Sequence, residues 1–71
     1  MKIEGTVTYQ DLEGGFWGIQ GADGIKYRPV DGLPGSVRSE GCRIVAEIEP
    51  ANVMSFAMWG RNVRIIKIKK A

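Results

Sequence analysis

Apolar and polar residues alternate along short segments of this chain, and this pattern restricts the fold more than any other feature. From residue 2 to residue 10 the odd positions are Ile3, Gly5, Val7 and Tyr9, whereas every even position is polar or charged. A period of two residues is typical of a strand with one buried face. No segment shows the 3.6-residue periodicity of a surface helix. The sequence therefore predicts an all-β fold.

Turn residues divide the rest of the chain into further strands. Gly14-Gly15 interrupts the first alternation, and Asp23-Gly24 is typical of a tight hairpin because this pair accepts positive φ. Pro29 limits one predicted strand and Pro50 ends another. The five predicted strands cover residues 2–10, 16–21, 25–28, 42–49 and 62–69. Residues 33–40 leave room for a helical turn at most, and residues 51–60 form a long connection.

The last predicted strand changes phase along its length. Its apolar set moves from Val63 and Ile65 to Ile66 and Ile68. A strand keeps one face buried through such a change only if an extra residue is inserted. We therefore expect a bulge near Ile65 and Ile66, or burial on both sides.

Five short strands in 71 residues have few ways to bury an apolar face. A flat sheet exposes its edges and one apolar face, whereas a bent sheet closed into a small barrel buries that face and removes most of the edge. We therefore expect one domain, residues 1–71, built as a five-stranded antiparallel OB-type barrel. An SH3-like small barrel is the alternative.

The composition excludes most catalytic chemistry. The chain has no histidine, which removes Ser-His and Cys-His nucleophile pairs, and its acidic residues are scattered. We therefore expect neither an enzyme nor a cofactor, and no metal site. The single cysteine and the lack of a long apolar run predict a cytoplasmic protein with no membrane association.

Two stretches resemble the cold-shock domains. Residues 5–19 read GTVTYQDLEGGFWGI and are similar, without a gap, to that family's opening G-x-V-K-W-F-N-x-x-K-G-F-G-F-I. Residues 40–49 read EGCRIVAEIE and resemble its fourth strand, and Arg61-Asn62-Val63 is similar to the start of its fifth. The resemblance implies an OB-type barrel that binds single-stranded nucleic acid by stacking bases on surface aromatics flanked by lysines.

The binding positions of the cold-shock pattern are matched in part. Tyr9 stands at the family's Trp and Phe16 at its first RNP1 aromatic, which implies that both rings stack bases. The departures are Thr8 and Gly14 in place of lysines, Gln10 in place of Phe, Gly18 in place of the second RNP1 aromatic, and Trp17 in place of Gly. The third strand lacks the family's V-F-V-H pattern and offers Tyr27 as its one aromatic.

Aromatic residues of a small barrel fill its interior more often than they form a ligand surface. The core interpretation applies to Trp17, Tyr27, Phe56 and Trp59. For Tyr9 two interpretations stay open, because alternation places it inward whereas the resemblance places its ring outward. Phe16 is the better surface candidate, since its neighbour Trp17 shares the buried side with Ile19.

Basic residues crowd the end of the chain, where no acidic residue follows Glu49. The set comprises Arg61, Arg64, Lys67, Lys69 and Lys70. Such a stripe suits a phosphate backbone, although lysines also protect an edge strand from pairing with other chains. The formal net charge of +2 is small for a nucleic-acid-binding protein.

Two functional hypotheses follow from these residues. The first is a non-catalytic module that binds single-stranded RNA or DNA. Its predicted stacking residues are Tyr9, Phe16 and Tyr27, and its predicted phosphate contacts are Lys26, Arg28, Arg64 and Lys67. The second is a protein-interaction or structural module that docks a protein partner. Its predicted docking residues are Val53, Met54, Phe56 and Met58.

Overall fold

The structure, a computed structural model, describes residues 1–12, 14–52 and 59–71. Its strands are β1 (Lys2–Gln10), β2 (Phe16–Gly21), β3 (Lys26–Pro29), β4 (Arg43–Pro50) and β5 (Arg61–Lys70). The first two have the predicted bounds, β3 and β4 lie one residue further along, and β5 is longer by one residue at each end. Pro29 and Pro50 are the last residues of their strands, where a missing N–H does least harm to the ladder.

The five strands close into a barrel in the order β1-β2-β3-β5-β4, with β4 paired to β1. Over the residues that the structure describes, the predicted all-β fold with a closed five-stranded small barrel is therefore confirmed. One feature of the prediction is wrong, because β3 and β5 run parallel, from the pair Tyr27 and Arg61 to the pair Pro29 and Val63. The parallel pair arises because β5 inserts between β3 and β4, so β3 meets a strand other than its successor.

The core lies inside the barrel, and every strand contributes side chains from its inward face. Val7, Ile19 and Ile44 are fully buried, and Tyr27 and Ile48 are buried at 1% exposure. The other members are Ile3, Leu33, Val37, Ala46 and Val63. Ile3 and Val7, and then the alternate residues from Ile44 to Ile48, face inward as their period of two predicts.

The connection between β3 and β4 supplies two core residues that the sequence did not assign. Leu33 and Val37 are buried in a segment made of turns, and the Val37 N–H donates to the Pro34 carbonyl at 3.1 Å. No helix forms in this segment, in keeping with the limit of one helical turn. Turns thus deliver apolar side chains to the barrel interior without regular periodicity.

The predicted bulge in β5 is confirmed. Glu47 pairs with Lys67, but the next residue, Ile48, pairs with Ile65. Ile66 is therefore the extra residue, and its side chain is 53% exposed. The insertion returns the inner side of β5 to the core, since Ile65 and Ile68 both pack against it.

Candidate functional site

Successive residues of β2 point to opposite sides of the barrel wall. Ile19 is fully buried and Trp17 packs against the core, so both face inward. Because side chains alternate along a strand, Phe16, Gly18 and Gln20 face outward. The β1 residues paired with these three are, respectively, Gln10, Thr8 and Thr6. One continuous outer surface therefore covers β1 and β2.

Trp59 lies on this outer surface rather than in the core. Its ring meets the Phe16 ring edge to face, with centroids 5.3 Å apart and planes at 69°. A Cβ built on Gly18 would stand 2.5 Å from Cζ3 of Trp59, closer than real Cβ atoms approach other atoms. The indole therefore rests directly on the Gly18 backbone, and this explains why Gly18 is buried although it faces outward.

A second glycine allows Trp59 to reach this position. Gly60 has a φ of +70°, and a Cβ there would meet the Lys26 carbonyl oxygen at 2.8 Å. Only glycine adopts this φ readily while the backbone comes so close. Immediately afterwards Arg61 pairs with Tyr27, so the chain enters β5 alongside β3. The turn at Gly60 therefore sets Trp59 over β2.

Two cations stand against the two rings. Tyr27 faces the core, so its neighbours Lys26 and Arg28 face outward on β3. The Lys26 Nζ lies 5.6 Å from the Trp59 ring centroid, and the Arg28 Cζ lies 4.5 Å from that of Phe16. Both distances are within the range of a cation–π interaction. We call the surface formed by Phe16, Gly18, Lys26, Arg28 and Trp59 the ring face.

Tyr9 belongs to a different aromatic pair, on the other side of β2. It is paired in register with Trp17, and the two rings meet at 5.1 Å with planes at 68°. Its ring also covers Gly15, which has a φ of +94°. Tyr9 is nevertheless 47% exposed, and its backbone N–H donates to the Glu40 carboxylate at 2.6 Å. Tyr9 therefore lies on the inward side of the barrel wall, as alternation predicts, but near the end of β1. The fold does not bring it together with Phe16, which faces outward.

Tyr27 is a core residue, so the expectation that it stacks a base is wrong. Its ring is buried, and its hydroxyl donates to Asp23 Oδ2 at 2.9 Å. The other oxygen of Asp23 accepts the Ile25 N–H, also at 2.9 Å. Asp23 thus closes the hairpin whose Gly24 has the expected positive φ, +85°. The hydrogen bond ties the β2–β3 turn to the core.

The same pair shifts two pKa values in opposite directions. The Ile25 N–H and the Tyr27 hydroxyl both donate to Asp23, which lowers the pKa of its carboxyl below 3.8. Burial, and then the hydrogen bond to Asp23, raises the pKa of Tyr27 above 10.0. The pair is therefore held with the carboxylate charged and the phenol neutral.

Arg64 and Lys67 lie away from the ring face. The Arg64 guanidinium is 3.4 Å from Asp31 and 3.8 Å from Glu49, so carboxylates already surround this exposed side chain. Lys67 pairs in register with Glu47 on β5. We call the outer surface that carries Glu47, Glu49, Arg64, Ile66 and Lys67 the charged face. Of the seven predicted contacts, the structure brings Phe16, Lys26 and Arg28 together.

Trp59 is the contact that the sequence prediction missed, because it was assigned to the core. The signal was Gly18, where the resemblance expects an aromatic and the sequence has no side chain. A ring supplied from elsewhere in the chain fills the vacated space. The predicted docking residues Val53, Met54, Phe56 and Met58 lie outside the residues that the structure describes.

Comparisons with protein-family models, with curated proteins and with solved structures found no match. Within residues 1–12, 14–52 and 59–71, no three metal-ligating side chains come together in a group that would hold an ion. The same described residues contain no helix long and apolar enough to span a membrane.

Proposed function

We propose that this protein is a small non-catalytic OB-type module that binds single-stranded nucleic acid on its ring face. The observation that carries the proposal is the meeting of Phe16 and Trp59 on the outer side of β2, flanked by Lys26 and Arg28. The resemblance of residues 5–19 to cold-shock domains supports the same ligand, since Phe16 stands at one of that family's stacking positions.

Stacking on these rings suits bases of any sequence, because every base has a π-face. Each base stacked on an aromatic side chain contributes about 1–3 kcal/mol to binding. Two rings on one outer surface therefore support a short single strand. A duplex hides the faces of its bases, so the ring face favours single strands over duplexes.

Lys26 and Arg28 complete the site by facing the phosphates. Both stand on β3, beside the rings and within 6 Å of a ring centroid, so a strand stacked there carries its backbone past them. Cations placed beside stacking rings are a common arrangement of single-strand binding surfaces. Of the four predicted phosphate contacts, Lys26 and Arg28 are retained because they lie beside the rings, whereas Arg64 and Lys67 lie away from the ring face.

Fluorescence anisotropy with a labelled single-stranded oligonucleotide of about eight nucleotides tests the proposal. At about 50 mM salt, where phosphate contacts are strongest, we expect binding by the wild-type protein. Phe16→Ala and Trp59→Ala should each weaken it by about 1–3 kcal/mol, or roughly five- to 150-fold. Ile66→Ala is the matched control, because it removes an exposed apolar side chain from the charged face.

Absence of wild-type binding to both an RNA and a DNA oligonucleotide would end the proposal. Equal losses in Phe16→Ala and Ile66→Ala would show that the rings have no special part in binding. If the protein does not bind oligonucleotides but light scattering shows that it associates with itself or with another protein, the protein-interaction hypothesis replaces the nucleic-acid-binding hypothesis.

A further inference from the structure

The ring face has different chemistry on its two sides. On the β3 side stand the cations Lys26 and Arg28. On the β1 side the outward residues are Thr6, Thr8 and Gln10, all neutral and all able to form hydrogen bonds. Phe16 and Trp59 lie over β2, between β1 and β3. A ligand on these rings therefore meets positive charge on the β3 side and neutral polar groups on the β1 side.

Gln10 is placed beside the Phe16 ring by the register of the sheet. The two residues are direct partners in the β1–β2 pair. Direct partners of an antiparallel pair have Cβ atoms about 4.5–5.5 Å apart. A base stacked on Phe16 therefore brings its edge within reach of the Gln10 amide.

A hydrogen bond holds that amide in place. The Gln10 Nε2 donates to the Thr8 Oγ1 at 2.9 Å, and both side chains are half-buried. Thr8 is itself the direct partner of Gly18, on which Trp59 rests. The amide is thus fixed along the row of outward β1 residues, with its carbonyl oxygen available to accept a hydrogen bond and its second N–H available to donate one.

The two sides of the ring face together orient a bound strand. Phosphates favour the β3 side because Lys26 and Arg28 are positive. Base edges then turn toward β1, where an amide can pair with them without competing for the phosphates. This orientation separates the groups that hold the backbone from the group that meets the bases.

We propose that Gln10 determines base preference by pairing with the edge of the base stacked on Phe16. The inference rests on the proposed function of the ring face. A well-placed amide that pairs with one base edge distinguishes it from others by roughly tenfold. The ring face then selects among single strands, which stacking alone does not do.

A pair of charge-matched variants tests this role. Gln10→Glu keeps the shape but leaves only acceptors, so it should favour adenine and cytosine, whose edges carry an amino donor. Thymine presents one ring N–H between two carbonyl oxygens, which repel a carboxylate, and should be disfavoured. Gln20→Glu adds the same charge to the same surface, between Thr6 on β1 and the phosphate contact Lys26 on β3 rather than opposite Phe16. It is the control for simple repulsion of phosphates.

The measurement is the affinity for labelled homo-oligonucleotides of adenine, cytosine and thymine, about eight residues long. We expect Gln10→Glu to raise the ratio of adenine to thymine affinity about tenfold over wild type, and Gln20→Glu to leave that ratio unchanged. Gln10→Ala, which adds no charge, should reduce the spread among the three affinities. Thermal unfolding by circular dichroism establishes that each variant is folded.

The outcomes separate this inference from the proposed function. Suppose that the wild-type protein binds and that Phe16→Ala weakens this binding. If Gln10→Glu and Gln20→Glu then change the adenine-to-thymine ratio equally, or not at all, the base-reading role of Gln10 is wrong and the proposed function of the ring face is retained. An unchanged spread of affinities in Gln10→Ala overturns it as well. If wild type binds none of the three oligonucleotides, both proposals fail together.

Discussion

The ring face and the charged face both carry two or more cations, but the neighbours of those cations differ. On the ring face, Lys26 lies against Trp59 and Arg28 against Phe16. On the charged face, Arg64 stands near Asp31 and Glu49. Positive charge among carboxylates is partly neutralised, and the positive charge of the ring face lies beside apolar ring surface suited to a base. The neighbours of a cation, rather than its position in a basic run, decide what it can bind.

The sequence alone divided the predicted phosphate contacts between the two faces, with Lys26 and Arg28 on the ring face and Arg64 and Lys67 on the charged face. The barrel changes this assignment by pairing β4 with β5, which sets Glu47 opposite Lys67 and Glu49 opposite Arg64. Conversely, the turn at Gly60 brings Trp59 to a hairpin more than thirty residues earlier in the chain. Both effects are contacts between segments distant in sequence.

The largest effect that sharpens this contrast is expected from Gly18→Ala. A Cβ at this position requires the Trp59 ring to move, so one stacking surface is lost and oligonucleotide binding should fall by about 2 kcal/mol, or thirtyfold. Gly35→Ala is the matched control, because the added Cβ would meet nothing nearer than an Arg38 nitrogen at 3.8 Å. The measurement is anisotropy, with thermal unfolding of both variants alongside. Undiminished binding by Gly18→Ala would mean that Trp59 is no part of the site.

A smaller effect is expected in the salt dependence of oligonucleotide affinity, which should be changed by removing cations from the ring face but not from β5. With two phosphate contacts, the logarithm of affinity should fall with the logarithm of salt concentration at a slope of about 1.4. Replacing Lys26 and Arg28 together by Gln should bring this slope close to zero and weaken binding at low salt roughly tenfold. Replacing Lys67 and Lys69 together by Gln removes the same charge from β5. That control should retain the slope, and an equal loss of slope in both double variants would break the contrast between the faces.

The smallest effect concerns the hairpin that carries β3. Tyr27→Phe removes the hydroxyl that donates to Asp23 and should lower the free energy of unfolding by about 1 kcal/mol at neutral pH. The measurement is urea unfolding between acid and alkaline pH, with Tyr9→Phe as the matched control. Tyr9 is 47% exposed, and the loss of its hydroxyl should change stability little.

The pH dependence of that effect follows from the two pKa shifts. The lowered pKa of Asp23 means that its contribution is present above the unfolded pKa and is lost as the pH falls through the folded pKa. The raised pKa of Tyr27 gives a contribution that is full below pH 10 and is lost as the pH rises through the folded pKa. Tyr27→Phe should abolish the alkaline loss and reduce the acid loss. It should leave part of the latter, because the Ile25 N–H still donates to Asp23. An unchanged alkaline profile would contradict the assignment.

Much of the barrel was predictable, because its signals are local. The alternation of residues 2–10 and the Asp23-Gly24 turn depend on neighbours a few residues apart, and so does the phase change at Ile66. The candidate site was predictable in part. Phe16, Lys26 and Arg28 follow from strand alternation once the core side of β2 and β3 is known.

Trp59 was wrongly assigned to the core, whereas Tyr27 was assigned both to the core and to base stacking, and its burial confirms the core assignment alone. The side of the barrel wall that Trp59 occupies depends on Gly18, a partner distant in sequence. Trp59 finds an open space over Gly18, and Tyr27 finds a hydroxyl acceptor in Asp23 while its ring fills the core. Leu33 and Val37 likewise enter the core from turns, where no periodicity marks an inward side.

The sequence by itself determined the strands, the hairpin, the bulge and the closed barrel, since these follow from periodicity, turn conformation and the need to cover one apolar face. Only the tertiary structure decided which aromatics lie together outside the barrel and which cations accompany them. The physical reason is that closure makes β3 a neighbour of β5 and brings Gly60 against Lys26. No local pattern carries the identity of such partners, so the candidate binding surface appears only when the chain is folded.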